Sequence, residues 1–549
     1  MKQTKITAIF ALIAMGISMP AAAQDAEGEG SSSEQRGSAR TTVEPYIEVS
    51  QVIAAEISPG NDVVTYTQVA AGVDTSIVGR NNGGSISLRY ERNIAWDDDS
   101  VDNDTVSGVA RGYASIVPQL LAVEAGALAA RTRVDGNGSS TISPLVDSDA
   151  ESQIYSVYAG PNLTARSGDF TGTATGRIGY TRVESPDVLV TSAGVDPVDV
   201  FDESTTYSAN VNVQSAPGDF LPVGVGLGAG YYQEDVSNLD QRIRDRYARA
   251  DVTVPIANNV ALVGGVGVED VELSSRDAVR DTFGDPVIGN DGRFVTDDSA
   301  PRQIAYQTDG IIWDAGVVWR PSRRTSLEAR YGRRYGSETY YGSFGWAPSP
   351  RSSVSIGVYD AIQGFGGQLT GALGNLPTEF TAARNPLTGD ITNCVGTAQG
   401  SNCLNGALGS VRSAVFRGRG IAASYGTSLG RLQAGIGAGY DRRKFIAAQN
   451  TVLGAADGLT DENIYVAAYL NGQLGTRASF ATNVYANWFD SGFDLAGDSF
   501  TVGASAGYSR DLGSRLTANA ALGLDHITSD SLLDDITAAS ARVGLRYGF

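Results

Sequence analysis

One imidazole, two thiols and a few arginines are the groups with which this chain could do chemistry. His526 is the sole histidine, set in Asp525-His526-Ile527-Thr528-Ser529-Asp530. Histidine beside aspartate is the material of a hydrolytic base and its orienting carboxylate, which must lie within hydrogen-bond reach of each other. In a strand, though, sequence neighbours point to opposite faces. Asp525 then turns away from the face that His526 shares with Leu522 and Leu524. The expectation is an interfacial ring and no catalytic residue. Cys394 and Cys403 lie close in sequence with Gly396, Gly400 and Asn402 between them. In an oxidising compartment such a pair forms a disulfide. No histidine or further cysteine stands near, so no metal is expected.

Four arginines, Arg89, Arg330, Arg542 and Arg546, fall on the polar face of alternating segments. Arginine keeps its charge in any surroundings, and fixed charges lining a lumen select ions. The alternative is that they neutralise acids on the same face, such as Glu91 and Glu328. The acids of residues 97–104 read as a solvated loop, or as carboxylates that share divalent cations with lipopolysaccharide phosphates. Gly224-Val225-Gly226-Leu227-Gly228-Ala229-Gly230 has its glycines at period two with no Gly-Lys-Ser/Thr after it. It is strand, where neighbouring strands approach closely or the wall is smooth, and not a phosphate loop.

The elements that must position these residues are strands. In the last segment Thr537, Ala539, Ala541, Val543, Leu545, Tyr547 and Phe549 share one face, opposite Ser540, Arg542, Gly544, Arg546 and Gly548. The same alternation recurs from Leu432 to Tyr440, from Leu516 to Leu524 and from Ile86 to Tyr90. The polar faces carry Gly, Ser, Thr, Asn and Arg, which suits a wet lumen. Short connections such as Ala257-Asn258-Asn259, Pro321-Ser322-Arg323 and Gly513-Ser514-Arg515 alternate with long polar ones at 97–104, 135–151, 184–203, 274–302, 364–414 and 447–462. This rhythm predicts an all-β transmembrane antiparallel β-barrel of about 22 strands (roughly 18–26), with tight turns on one side and long loops on the other.

Composition agrees. The 549 residues include 67 Gly and 40 Phe plus Tyr (16 and 24), with only 19% charged. A net charge of −20 excludes nucleic acid as a partner, and no cofactor is expected. Residues 1–23 read as a signal peptide: Lys2 and Lys5 precede an apolar run, and Ala21-Ala22-Ala23 supplies a cleavage site before Gln24. Removing it leaves Lys444 as the only lysine, and the net charge becomes −22 (61 acids less 39 bases). Residues 24–42 read as a disordered periplasmic leader, too short for a plug domain. The barrel is then 43–549, without a plug, and with one long outer loop at 364–414. That loop is long enough to fold into the pore as a constriction.

The final strand, Arg542-Val543-Gly544-Leu545-Arg546-Tyr547-Gly548-Phe549, resembles the C-terminal signal by which the barrel-assembly machinery recognises outer-membrane proteins, with Tyr547 and Phe549 as its aromatics. Two stretches resemble a narrower family, the outer-membrane barrels associated with PEP-CTERM/exosortase systems. One is Val43-Glu44-Pro45-Tyr46-Ile47-Glu48-Val49-Ser50-Gln51 with Asp62-Val63-Val64-Thr65-Tyr66 and Ala71-Gly72-Val73. The other is Trp319-Arg320-Pro321-Ser322-Arg323-Arg324-Thr325 with Tyr331-Gly332-Arg333-Arg334-Tyr335-Gly336. The resemblance implies a non-enzymatic barrel in the outer membrane of a Gram-negative bacterium, surrounded by lipid and lipopolysaccharide. It would be a passive channel or a pore tied to polysaccharide or protein export, with export-system proteins as partners. A non-conducting structural or surface-interaction barrel is the alternative, and an outer-membrane hydrolase the third reading.

Overall fold

The computed structural model describes residues 40–96, 103–134, 140–141, 151–189, 198–289, 293–397, 400–403, 414–492, 498–530 and 535–549. The predicted signal peptide with its Ala23–Gln24 junction, most of the leader and most of the acidic stretch 97–104 lie outside the described residues. So do the side chains of Cys394 and Cys403.

Antiparallel neighbours follow in chain order through β1 (Arg40–Ser58), β2 (Val63–Val78), β3 (Asn82–Ala95), β4 (Asn103–Val117) and β5 (Leu121–Val134). A two-residue strand, β6 (Ser140–Thr141), pairs antiparallel with the outer end of β5 at Arg133 and Val134. The wall goes on through β7 (Glu151–Ser167), β8 (Phe170–Leu189), β9 (Val198–Ser215), β10 (Gly224–Val236), β11 (Gln241–Ala257) and β12 (Val260–Ser275). Next come β13 (Gln303–Ser322), β14 (Thr325–Arg334), β15 (Ser337–Ser349) and β16 (Ser352–Gln363). The chain then leaves the wall for helix α1 (Phe365–Asn375) and a separate three-stranded sheet of β17 (Thr381–Arg384), β18 (Ile391–Thr397) and β19 (Gly400–Cys403). It rejoins at β20 (Phe416–Leu429), opposite β16, and ends with β21 (Leu432–Phe445), β22 (Thr460–Gln473), β23 (Ala478–Asp490), β24 (Ser499–Asp511), β25 (Leu516–Ser529) and β26 (Ile536–Gly548). β26 pairs with β1, Leu545 opposite Val49, so the sheet closes on itself. Of its 23 strands the short β6 lies beyond the wall, which leaves 22 around the barrel. Closure satisfies the backbone of every wall strand without an edge.

Burial reads out the two faces. In β1, Ile47, Val49 and Ile53 are exposed while Glu48, Ser50 and Val52 are buried. The exposed face is therefore apolar and the inner face polar, the reverse of a soluble fold. Outward aromatics gather at two heights. Phe170, Trp319, Trp346, Tyr425, Tyr508 and Tyr547 stand near the short turns, and Tyr90, Tyr207, Trp313, Tyr331, Tyr340 and Trp488 near the other end. Among the described residues no helix is long and apolar enough to cross a membrane; the strands do the crossing. An apolar band between two aromatic girdles on a closed antiparallel wall is an outer-membrane barrel, which places the protein in the Gram-negative outer membrane.

Part of the Gly and Tyr content has a shared structural cause. Tyr46 lies directly opposite Gly72, Tyr158 opposite Gly126, Tyr247 opposite Gly230, Tyr465 opposite Gly439 and Tyr485 opposite Gly503. In each pair the tyrosine ring occupies the space a Cβ on the glycine would fill. Rings laid flat over cross-strand glycines pack the lumen wall without projecting far into it.

Two expectations change. The fold is not a barrel without a plug: the long loop expected at 364–414 leaves the outer rim and folds inward, so that α1 and the sheet β17–β19 fill part of the lumen as an internal plug. Phe365, Leu369, Leu373 and Leu376 drive this, because they are apolar on one helical face and find an apolar patch on the inner wall. The predicted loop at 184–203 is also shorter, since β8 runs to Leu189 and β9 begins at Val198.

Candidate functional site

The plug enters from the end opposite the short turns. β16 and β20 are paired up to Gln363 and Phe416, so the excursion leaves and returns at adjacent points on the rim. Helix α1 starts at Gly364, whose own side chain can cap nothing. A wall carboxylate does so instead. Glu234 of β10, fully buried, accepts the N–H of Gly364 at 2.7 Å and of Gly367 at 3.1 Å. It is held there by the hydroxyls of Ser204 (2.7 Å) and Tyr232 (2.6 Å). A negative charge at a helix N-terminus meets unpaired N–H groups and the positive end of the helix dipole. The helix can come this close because residues 366 and 367 are glycines. A Cβ on Gly366 would strike Ser204, and one on Gly367 would strike the Tyr232 hydroxyl.

Below the cap, Phe365, Leu369, Leu373 and Leu376 pack against Val109, Leu128, Ile154 and Val236 of the wall and Ile391 and Val395 of the plug sheet. Each of these buried side chains contributes about 2 kcal/mol. Sequence reasoning passed over this helix, although its apolar residues recur at helical spacing.

The far end of the plug is the turn Asn385-Pro386-Leu387-Thr388-Gly389-Asp390. The Asn385 carboxamide oxygen accepts the N–H of Leu387 (2.8 Å), and Gly389 takes a positive φ of 76° to close the turn. Its tip touches strands on both sides of the closing seam. Asp390 pairs with Arg131 of β5 at 3.0 Å, and the Gln68 side chain of β2 donates to the Thr388 carbonyl at 3.5 Å. Arg542 of β26 donates to the Pro386 carbonyl at 3.0 Å, while Leu387 lies over Gly523 of β25. Arg384 reaches the hydroxyls of Ser87 (3.0 Å) and Ser107 (2.8 Å).

The four arginines singled out on the inner face separate here. Arg89 pairs with Glu48 (3.2 Å) and Glu91 (3.0 Å) and donates to Gln68 (3.3 Å). Arg542 pairs with the same Glu48 across the seam and donates to Ser50 at 2.9 Å. Arg546 pairs with Asp74 at 3.2 Å and lies over the Tyr46 ring. Three of the four thus gather on β1–β3 and β26 beneath the plug turn. Arg330 sits elsewhere, with Glu328 (2.7 Å) and Asp314 (3.0 Å). All four make ion pairs with wall acids, so neutralisation of the wall describes their contacts better than a ring of free charge. Glu234, Asp390, Arg131 and Arg384 carry as much of the arrangement. They were not legible in the sequence, because nothing in a lone inward acid or a loop arginine announces its partner.

His526 faces outward, its Nδ1 2.9 Å from the Thr537 hydroxyl, while Asp525 faces the lumen and accepts from Tyr485 at 3.0 Å. The two therefore lie on opposite faces and cannot act together as a base and its orienting carboxylate. Among the described residues no group of three or more His, Cys, Asp or Glu could hold a metal ion. Cys394 and Cys403 are Cα partners across β18 and β19. The stretches that resemble the exosortase-associated family lie in wall strands β1 and β2 and the β13–β14 hairpin. Tyr547 is outward on the last strand, its ring edge-on to Phe549 with centroids 5.3 Å apart.

No protein-family model and no curated protein matches the sequence. Solved structures of similar architecture include the FrpB iron transporter from Neisseria meningitidis, 11% identical, with a TM-score of 0.44, covering 92% of this chain and 82% of that one. The ferric-catecholate import receptor Fiu from E. coli K12 in its closed form is 11% identical, with a TM-score of 0.44 and coverage of 92% and 81%. The siderophore receptor PiuA from Acinetobacter baumannii is 9% identical, with a TM-score of 0.42 and coverage of 92% and 82%. At this level of similarity they say nothing of what this chain carries.

Proposed function

We propose that the protein is a gated outer-membrane transporter, a polar-lined barrel held shut by its own loop. The observation that carries this reading is the inward fold of residues 364–403, pinned at the helix start by Glu234 and at the turn by Arg131, Gln68 and Arg542. A lumen filled in this way does not suit a permanently open channel. The plug leaves and re-enters the wall at the paired residues Gln363 and Phe416, so it can move without any wall strand losing its neighbours.

Proteoliposome swelling tests the reading. Wild-type protein should admit a small sugar slowly, and the Leu369→Asp/Leu373→Asp variant, with charges buried in the apolar patch, several-fold faster. Equal rates would overturn gating by the plug and favour a closed structural barrel. Three finer proposals rest on the sequence. Cys394 and Cys403 staple the plug sheet as a disulfide, and the stretches in β1, β2 and the β13–β14 hairpin tie the barrel to an export system. Tyr547 and Phe549 would serve recognition by the assembly machinery.

A further inference from the structure

Beneath the plug turn the lumen keeps a cavity of about 340 Å³, which reaches the short-turn ends of β23, β24 and β25. Its charged lining is one-sided: Arg89, Arg384, Arg542 and Arg546 against a single carboxylate, Glu48. Behind that lining Glu91 pairs with Arg89 and Asp74 with Arg546. Four cations against three acids leave one positive charge in excess. The unmatched one is Arg384, which donates to neutral oxygens on Ser87, Ser107 and Gly389.

Two further groups on this lining lack a partner. Tyr46 is only 2% exposed and its hydroxyl has no hydrogen-bond partner. Arg542 is 6% exposed and its Nε has none either. A buried donor without an acceptor is destabilising, and two such donors at a positively charged cavity describe a site shaped for an acceptor that carries negative charge. Ser509, Thr517 and Asn519 add neutral polar groups along the same wall. Planar guanidinium forks match the oxygens of carboxylates and phosphates.

We propose that this cavity is a binding site for a small multivalent oxyanion, a polycarboxylate or a phosphate, entered from the periplasmic side. Arg384 and Arg546 supply charge, and the Tyr46 hydroxyl and Arg542 Nε supply the unsatisfied donors. The site depends on the closed lumen alone and not on whether the plug opens. Binding without any plug-dependent swelling would keep the site while removing the gated reading.

Calorimetric titration of the full-length protein in detergent tests it, with sodium citrate and inorganic phosphate as separate probes and sodium chloride at matched ionic strength as the blank. Saturable binding of one probe or both at one site per chain is expected, and which of them binds tells carboxylate from phosphate. Arg384→Gln should weaken it at least tenfold. Tyr46→Phe should weaken it several-fold without lowering the melting temperature, since the hydroxyl it removes has no hydrogen-bond partner in the protein. Arg244→Gln, on the outer face beside Glu272, should bind as wild type. A shift in gel mobility on heating reports that each barrel is folded. No saturable heat with either anion, or unchanged affinity in both Arg384→Gln and Tyr46→Phe, would overturn the proposal.

Discussion

Glu234 on wall strand β10 accepts the backbone N–H of Gly364 at 2.7 Å, so a carboxylate of the barrel caps a helix of the plug. The bond joins residues far apart in sequence, and it fixes where the helix can begin. Because Glu234 is fully buried, removing it leaves the Gly364 and Gly367 donors and the Ser204 and Tyr232 hydroxyls without their shared acceptor.

Glu234→Ala should therefore loosen the start of α1 and leave the wall intact. Hydrogen exchange at Gly364–Gly367 should accelerate by one to two orders of magnitude, in line with about 1–3 kcal/mol for orphaned buried donors. Exchange in β10 itself should change little. Uniform acceleration across the wall strands would mean that Glu234 serves barrel stability and not the plug.

Arg542 joins the closing seam to the plug, through Glu48 on β1 and the Pro386 carbonyl. Breaking a buried pair costs about 3–5 kcal/mol, because the partner charge stays behind. Glu48 keeps Arg89, so the loss in Arg542→Gln should fall at the low end. The temperature at which the folded band converts on heated gels should drop, and more so than in Arg330→Gln, whose Asp314 retains Arg249 at 2.7 Å. Equal behaviour of the two variants would contradict a special role for the seam.

Cys394 and Cys403 are Cα partners of β18 and β19, and directly opposed strand positions lie within the separations a disulfide tolerates. Unreduced, denatured protein should take up no maleimide, and reduced protein two. Two labels without reductant would show free thiols and a plug sheet held by hydrogen bonds alone.

The sequence carried the faces but not the neighbours. Alternation from Thr537 to Phe549 told which side of β26 meets lipid, since period two depends only on the local strand. That Tyr46 covers Gly72, or that Arg542 meets Glu48, depends on register between strands, which no single segment encodes. The plug was half legible. The length of 364–414 allowed a constriction, but a polar Gly-rich stretch reads as surface loop unless Phe365, Leu369, Leu373 and Leu376 are taken together as a helical face. The expectation of a barrel without a plug failed for this reason: it looked for a plug ahead of β1, and the chain places it between β16 and β20.

Single-channel conductance in planar bilayers tests the central claim most directly. Gln363 and Phe416 already face each other, so residues 364–415 can be replaced by a two-residue Asn-Gly turn without moving the wall. The account predicts little or no current through the wild-type protein at low voltage and a large, stable conductance through the shortened one. The same conductance from both proteins would contradict it.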